Sequence, residues 1–256
     1  MIREVVQNLF WPFRMVKDKL RKRRSSLVKA VGKTLFFTII AFVSLSVLLV
    51  VFLRFVPPPT SAFMIKRQLQ GWVQDDRSPN IHYRWVDMEF ISPHMALAVV
   101  AAEDQKFPHH RGFDFQSISQ AIEERRANGR VRGASTITQQ TAKNLFLWER
   151  RSLVRKGLEA WFAFLMEIFW PKSRILEVYL NIAEFGDGIY GVHSAALIFF
   201  GKEPLRLTRS EAALLAAVLP QPKRFSVAAP SQYIQQRAKQ IERQMNNLGA
   251  SYLTNL

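Results

Sequence analysis

The sequence lacks cysteine altogether, and it lacks internal repeats and low-complexity tracts outside a basic N-terminal leader. Without cysteine the chain forms neither a disulfide bond nor a thiolate metal site. Its composition is therefore compatible with either an oxidising or a reducing compartment. Strand patterns are scarce as well, because residues 81–86 are the only plausible strand. The 256 residues therefore predict a mainly α protein that is long enough to bury a large core.

Positive charge is concentrated before one long apolar segment. Half of the net charge of +16 lies in residues 1–33, which hold ten Lys/Arg against two Asp/Glu. Residues 35–53 then form a run of 19 residues without a charge. At about 1.5 Å per residue this run spans roughly 28 Å, close to the ~30 Å hydrocarbon core of a bilayer. It predicts a transmembrane helix with a cytoplasmic N-terminus and an exported remainder.

A cleaved signal peptide is the alternative interpretation of this segment. Its apolar core would be about 7–15 residues long and would end in a small-residue cleavage site, whereas this run is longer and ends beside Pro57–Pro59. We therefore favour an uncleaved anchor. The predicted divisions are a basic cytoplasmic leader (1–33), a transmembrane helix (34–56), a linker and membrane-proximal segment (57–84), and an exported domain (85–256).

The exported domain has a helical pattern almost throughout, and its net positive charge favours an anionic partner. Caps and apolar periodicity predict helices at 63–72, 95–102, 114–126 with Asp114 as cap, 135–145, 155–170, 174–183 with Ser173 as cap, 194–200, 208–219 and 231–248. Gly and polar residues predict loops at 75–80 and 128–133 and a turn at 186–191.

Two adjacent carboxylates, Glu103 and Asp104, end the apolar helix predicted at 95–102. Acids at a helix C-terminus cost about a few tenths of a kcal/mol, and burial raises the pKa of a carboxyl group. An arrangement that costs helix stability without a compensating local contact indicates a functional site. The alternative is a helix that ends in solvated acids.

Two further clusters combine cations with helix N-termini. Thr136, Gln140 and Lys143 share one face of a helix that opens with a capping box, which suits either an anion and hydroxyl site or an ordinary surface face. Arg155 precedes Glu159 at i, i+4, which is the poorer order for a stabilising ion pair and places cations at the positive helix end. The second cluster therefore suits a phosphate clamp better than a surface ion pair.

Five ordered stretches within residues 85–225 resemble the glycosyltransferase domain of peptidoglycan polymerases, the family that includes class A penicillin-binding proteins. They are EDQKF with HRGFD (103–107, 110–114), GASTITQQ with KNL (133–140, 143–145), RK with Glu159 (155–156), ILEVYLN (175–181) and residues 188–196. Ala134 and Phe185 depart from the family pattern, where glycine and tyrosine are usual. Neither departure removes a charged group.

The resemblance is to the monofunctional biosynthetic peptidoglycan transglycosylases, which have an anchor and one catalytic domain. A transpeptidase would need S-x-x-K with partner elements, and the match at residues 26–29 lies in the leader without them. The resemblance implies a lysozyme-like, two-lobed helical glycosyltransferase domain behind one transmembrane helix. It also implies a bacterial inner-membrane protein with a periplasmic catalytic domain.

The resemblance further implies a reaction and its residues. Lipid II is polymerised into β-1,4-linked glycan with inversion and release of undecaprenyl pyrophosphate. Glu103 is the general base, and Lys143, Arg155 and Lys156 receive the pyrophosphate. Glu159 either orients these cations, as a second catalytic residue, or holds Mg²⁺ or another divalent cation. The other expected site residues are Asp104, Phe107, His110, Thr136, Gln140, Asn144 and Asn181.

The expected partners are lipid II, the nascent glycan strand, membrane lipid, and cell-division or wall-synthesis proteins. No organic cofactor is implied. A lysozyme-like hydrolase is the nearest alternative, since two carboxylates serve either reaction. A non-enzymatic membrane-anchored scaffold is the second, and a nucleic-acid binder is disfavoured by export. His109 with His110 could also form a metal pair, although adjacent residues face apart on a helix.

Overall fold

The computed structural model describes residues 2–73, 81–128, 133, 135–254 and 256, with side chains from residue 29 onward except those of 122, 125 and 128. These residues form two compact units, 1–49 and 50–256. The helices are α1 (Ile2–Phe55), α2 (Ala62–Val73), α3 (Pro93–Glu103), α4 (Phe115–Asn128), α5 (Ile137–Phe146), α6 (Leu153–Phe169), α7 (Lys172–Ile182), α8 (Gly191–Phe200), α9 (Arg209–Val218) and α10 (Gln232–Leu248). The strands are β1 (His82–Tyr83), β2 (Glu184–Gly186) and β3 (Ile189–Tyr190). The prediction of a mainly α protein is confirmed.

The apolar run near the N-terminus is helical, as predicted. Lys29–Phe55 of α1 is long and apolar enough to cross a membrane, with a mean hydropathy of 2.9. The preceding basic leader continues the same helix from Ile2.

The last turn of α1 is held by side chains from the α6–α7 junction. Pro57 follows two residues after the helix and has no N–H, so the chain leaves the Leu53 carbonyl without its usual helical donor. Arg174 supplies that donor, with Nη2 3.0 Å from the Leu53 oxygen and 3.0 Å from the Val56 oxygen. Trp170 Nε1 donates to the Val50 carbonyl at 2.7 Å.

The core is built around α3, whose residues 95–101 are all buried. This helix packs against α9 and α10, while α5 packs against α6 and α7. An α-helix that is apolar on every side needs neighbours on every side. The buried position of α3 is therefore what its sequence predicts, and it carries Glu103 from the core to the surface of a cleft.

The sheet is a finding that the sequence did not provide. β3 pairs in parallel with β1 and antiparallel with β2, in the order β1-β3-β2. The region 186–191, predicted as a turn, is thus a turn whose flanking residues pair as strands. Strands of two or three residues are too short to show a period of two, which is why only the extended piece containing β1 was predicted.

Most predicted helices are confirmed, with one error at a cap. Ser173 was expected to cap α7, but the helix begins at Lys172 with Pro171 at the N-cap and no side-chain cap. The Pro171 carbonyl accepts the first hydrogen bond of the helix, from the Ile175 N–H at 3.2 Å, so the serine lies inside the first turn. The loop predicted at 75–80 lies outside the described residues, as do residues 129–132 of the loop predicted at 128–133.

Asn181 connects α7 to the segment that follows β1. Its Nδ2 donates to the Val86 and Glu177 carbonyls at 2.8 and 2.9 Å, and its Oδ1 accepts from the Val86 N–H at 2.9 Å. Its own carbonyl lies only 2.5 Å from where a Cβ on Gly191 would stand. Gly191 has φ +79°, so only glycine fits this approach without strain.

We predict that Asn181→Ala destabilises the domain by about 2 kcal/mol, because it leaves the Val86 backbone groups without their partner. For a domain of this size that corresponds to a fall in Tm of roughly 4–8 °C, measured by thermal unfolding in detergent. Asn247→Ala is the matched control, since Asn247 is exposed on α10. An unchanged Tm combined with lost substrate binding would contradict this structural role.

Candidate functional site

Glu103 is the last residue of α3 and its side chain is 14% exposed. Gln140 Nε2 donates to Glu103 Oε2 at 2.9 Å, and the Tyr179 hydroxyl donates to Gln140 Oε1 at 3.1 Å. Arg237 Nη2 on α10 lies 3.8 Å from Glu103 Oε1. Three different elements therefore fix the position of this carboxylate.

The pKa of Glu103 is raised above its ordinary value because burial disfavours the charged form. The hydrogen bond from Gln140 and the charges of Arg237 and Lys143 act in the opposite direction, and the Asp104 charge adds to the rise. A carboxylate with a raised pKa is a stronger base than an exposed glutamate.

Asp104, the second acid of the pair, lines a cavity beside Glu103, but both of its oxygens are engaged by other parts of the protein. Its Oδ1 lies 2.9 Å from His110 Nε2, and its Oδ2 accepts from the Ile137 backbone N–H at 3.0 Å. Ile137 is the first residue of α5, so the carboxylate lies at the positive end of that helix. The unfavourable position at the end of α3 becomes a favourable one at the start of α5.

Thr136 and Phe107 are also buried close to this junction. Thr136 closes the predicted capping box with Gln139 and donates through Oγ1 to the Gly112 carbonyl at 2.6 Å. The Phe107 ring stacks edge-on against His110, and the Lys172 ammonium lies 4.5 Å from its centroid. Both residues shape the site from behind, so a direct contact with substrate stays a prediction for them.

Lys143 and Asn144 lie on α5 beyond Gln140 and line a cavity of about 380 Å³. The Lys143 ammonium lies 5.5 Å from the centre of the Phe63 ring. Burial lowers its pKa, an effect that the charges of Glu159 and Glu103 oppose. The Asn144 Oδ1 is buried without a hydrogen-bond partner. These groups are arranged to receive a polar ligand.

Arg155, Lys156 and Glu159 form a compact cluster at the start of α6. Glu159 is 3% exposed and accepts from Arg155 Nη1 at 2.6 Å, while Lys156 pairs with its other oxygen. Arg155 Nε is buried without a partner. The surface ion pair considered for this helix is therefore largely buried. Lys143 lies within electrostatic range of all three residues.

Three adjoining cavities form the cleft around Glu103. One of about 250 Å³ is lined by Glu103, Lys106, Asp114 and polar residues of α4. A second of about 390 Å³ shares Glu103 and Gly133 with the first and adds Arg237. The third is the Lys143 cavity, which shares Gln140 and Pro220 with the second. The shared lining residues place the cavities side by side, so Glu103 and Lys143 lie on neighbouring spaces, whereas Arg155, Lys156 and Glu159 line none of the three.

The two adjacent histidines do not converge. His110 contacts Asp104, whereas the His109 ring packs against Tyr252 with centroids 5.8 Å apart. Within the described part of the chain no three His, Asp or Glu side chains form a group suited to a metal ion. The histidine metal pair is not supported by this arrangement.

Some residues of the cleft escaped the sequence-based prediction. Arg237 comes from the last helix, Tyr179 from the middle of α7, and Phe63 from the membrane-proximal helix α2. Arg237 and Phe63 carry no local pattern that sets them apart from core or surface residues, and Tyr179 lies in the ILEVYLN stretch without being distinguished from its apolar neighbours. Only the fold brings them to Glu103, Gln140 and Lys143.

We predict that Glu103→Gln stabilises the folded domain at pH 8, because it removes a buried charge and keeps a group that can accept from Gln140. The raised pKa of Glu103 means that its ionisation weakens the fold as pH rises from the ordinary glutamate range through the folded-state pKa. The gain in Tm should therefore be largest at alkaline pH and shrink toward pH 4. A gain in Tm that stays constant with pH would contradict this prediction.

Comparison with known proteins identifies the family of this chain. Residues 73–246 match the family described as Transglycosylase. The chain is 53% identical over 208 residues to a "Biosynthetic peptidoglycan transglycosylase" of Xanthomonas campestris pv. campestris (strain B100), over 81% of this chain and 85% of that protein. It is 50% identical over 219 residues to the protein of the same name from Xylella fastidiosa (strain 9a5c), over 86% and 90% of the two chains. The chain therefore belongs to the transglycosylase family and is a glycosyltransferase.

Proposed function

We propose that this enzyme polymerises lipid II into β-1,4-linked peptidoglycan strands and releases undecaprenyl pyrophosphate. The observation that carries the proposal is one juxtaposition: Gln140 donates to the largely buried carboxylate of Glu103 and also lines the cavity that holds the cation Lys143. A base and an anion-binding group so placed suit the two ends of one sugar–diphosphate bond.

Glu103 is the general base in this mechanism. The acceptor GlcNAc 4-hydroxyl attacks the anomeric carbon of the donor MurNAc, so an α-linked donor yields a β-linked product. A carboxylate is too weak to deprotonate an alcohol beforehand, so proton transfer accompanies bond formation. The raised pKa of Glu103 reduces the difference in pKa between the carboxyl group and the alcohol. The hydrogen bond from Gln140 holds the carboxylate that receives the proton in place.

The leaving pyrophosphate is stabilised by the cations beyond Gln140. Among the described residues the Lys143 ammonium makes no hydrogen bond, and Arg155 Nε is buried without one. Fixed cations aimed at developing negative charge lower the barrier without reorganising during the reaction. Asn144 Oδ1, which also lacks a partner, suits a sugar hydroxyl or amide.

Glu159 suits the role of orienting residue better than that of metal ligand. Each of its oxygens is already engaged, one by Arg155 and the other by Lys156. A divalent cation would have to displace one of these cations or bind mainly through the pyrophosphate. The predicted requirement for Mg²⁺ stays a prediction, and no step of the mechanism depends on it.

The hydrolase alternative is weakened by the second acid. A glycosidase needs two carboxylates that both face the scissile bond. Asp104 and Asp114 line a cavity with Glu103, but their oxygens are already engaged: Asp104 contacts His110 and accepts from the first N–H of α5, and Asp114 accepts from the Ser117 N–H and hydroxyl. A hydrolase that cleaves phosphate-free glycan would also have no role for a cationic pocket that binds a leaving pyrophosphate.

We place the leader in the cytoplasm and the catalytic domain in the periplasm, because basic residues precede the membrane helix. This orientation sets the cleft on the side of the inner membrane where lipid II is consumed. The nascent glycan strand and membrane lipid are then the direct partners, and cell-division or wall-synthesis proteins are further ones.

The assay that tests this function uses purified full-length protein, labelled lipid II and Mg²⁺, with lysozyme-sensitive polymer as the product. We predict that Glu103→Gln lowers kcat by a factor of about 10²–10⁴, the usual contribution of a positioned base. Lys143→Met should lower kcat by about 10²–10³, as for the loss of a transition-state contact.

Lys239→Met is the matched control, because it removes a cation from an exposed position on α10. It should polymerise lipid II normally. If the wild-type enzyme cleaves phosphate-free glycan and forms no polymer, and Lys143→Met leaves that cleavage intact, the chain is a hydrolase and the proposal is wrong.

The pH dependence of the reaction should report on Glu103. The charge of Arg237 lowers the pKa of Glu103, so Arg237→Met should raise it. Because the base must be ionised, the acidic limb of the kcat/KM profile should move to higher pH in this variant. Lys239→Met should leave the limb in place. A limb that stays unchanged in Arg237→Met would show that another group controls it.

A further inference from the structure

The outer face of α2 is apolar and exposed. Ile65, Leu69, Trp72 and Val73 are spaced at i, i+4, i+7 and i+8, so they share one face of the helix. Their exposed fractions are 45%, 50%, 66% and 86%. A surface helix of a soluble domain normally shows a polar face to water, whereas the exposed residues of α2 are mainly apolar, with Gln68 and Gln70 beside them.

The basic residues of α2 point toward the domain instead. Lys66 pairs with Glu149, and Arg67 pairs with Asp187 on the β2–β3 turn. Met64 and Gly71 are the buried residues of the helix, so they and these ion pairs together define the side that faces the domain. The apolar face is consequently held outward and cannot turn into the core.

The connection to α1 identifies what covers this face. Seven chain steps separate Phe55, the end of the membrane-spanning segment, from Ala62, the start of α2, so the two ends are at most about 25 Å apart. The connection is also tied down, because Arg174 donates to the Val56 carbonyl and the Tyr83 hydroxyl donates to the Pro58 carbonyl at 2.6 Å. The helix α2 therefore starts within reach of the bilayer surface.

We propose that α2 lies in the membrane–water interface, with Ile65, Leu69, Trp72 and Val73 in contact with lipid. The chemistry of the face fits this partner, since tryptophan is enriched at the level of the headgroups and aliphatic side chains enter the acyl boundary. The partner is the bilayer itself rather than another protein, because the face directly follows a membrane anchor.

This docking deepens the proposed function, on which the following consequence depends. Phe63 stands on the same helix and lies beside the Lys143 ammonium. One helix thus contacts the lipid surface on its outer side and the proposed pyrophosphate-binding cavity on its inner side. Docking of α2 holds that cavity at headgroup level, where the diphosphate of a lipid-linked substrate lies.

The absence of cysteine permits a direct test of the location. Leu69→Cys carries a single nitroxide label in the full-length protein, reconstituted in vesicles of phosphatidylethanolamine and phosphatidylglycerol. Power-saturation EPR compares collisions with O₂, which concentrates in lipid, and with a water-soluble nickel chelate. Tyr233→Cys on α10, a position that is 57% exposed, is the control. We expect the O₂-to-nickel ratio at residue 69 to be several-fold higher than at residue 233, and equal ratios would overturn the proposal.

Kinetics provide the second readout. Leu69→Glu should raise the KM for lipid II in vesicles several-fold, with kcat retained, and should change it little in detergent micelles. Gln70→Glu is the control, because residue 70 is exposed on α2 but lies about 100° around the helix from residue 69. An equal rise of KM in vesicles and micelles would overturn membrane docking. If the wild-type enzyme does not use lipid II at all, the proposed function fails, and the label at residue 69 still decides the docking.

Discussion

Asp104 accepts hydrogen bonds from the His110 imidazole and the Ile137 backbone N–H, and so joins the end of α3 to the start of α5. The remaining features of the cleft depend on that junction. It sets Glu103, one residue earlier, opposite Gln140, one turn into α5. The charge of Asp104 is unfavourable at the negative C-terminal end of α3 and favourable at the positive N-terminal end of α5. The conflict visible in the sequence is resolved by a contact between residues far apart in the chain.

The parts of this structure that local chemistry controls could be predicted. The capping boxes at Thr136 and Thr208, the burial of α3 and the apolar anchor follow from neighbours within one or two turns. The pairing of β1 with β3 and the arrival of Arg237 beside Glu103 depend on segments that are distant in sequence. The error at Ser173 has a different origin, since two residues only two positions apart were able to precede the helix, and the structure has Pro171 at the N-cap.

The structure divides the predicted site residues into those that line the cleft and those that support it. A motif identifies residue types that a reaction needs, but it does not separate those that touch substrate from those that support them. Gln140 and Lys143 line the cleft, whereas Asn181 uses every polar atom of its side chain on backbone groups. Burial and hydrogen-bond satisfaction make this distinction, and both are properties of the folded chain. Arg155 Nε and Asn144 Oδ1 are left unsatisfied among the candidate site residues, as are His110 Nδ1 and Arg237 Nε, which lie nearer Asp104 and Glu103.

The end of α1 carries a consequence for how this chain can vary. Pro57 cannot donate to the Leu53 carbonyl, and Arg174 donates to it instead. A chain with an ordinary residue at position 57 would supply its own N–H, and the guanidinium would then compete for an acceptor already in use. Positions 57 and 174 are therefore thermodynamically coupled. The arginine should be dispensable only in relatives whose helix is not followed by proline.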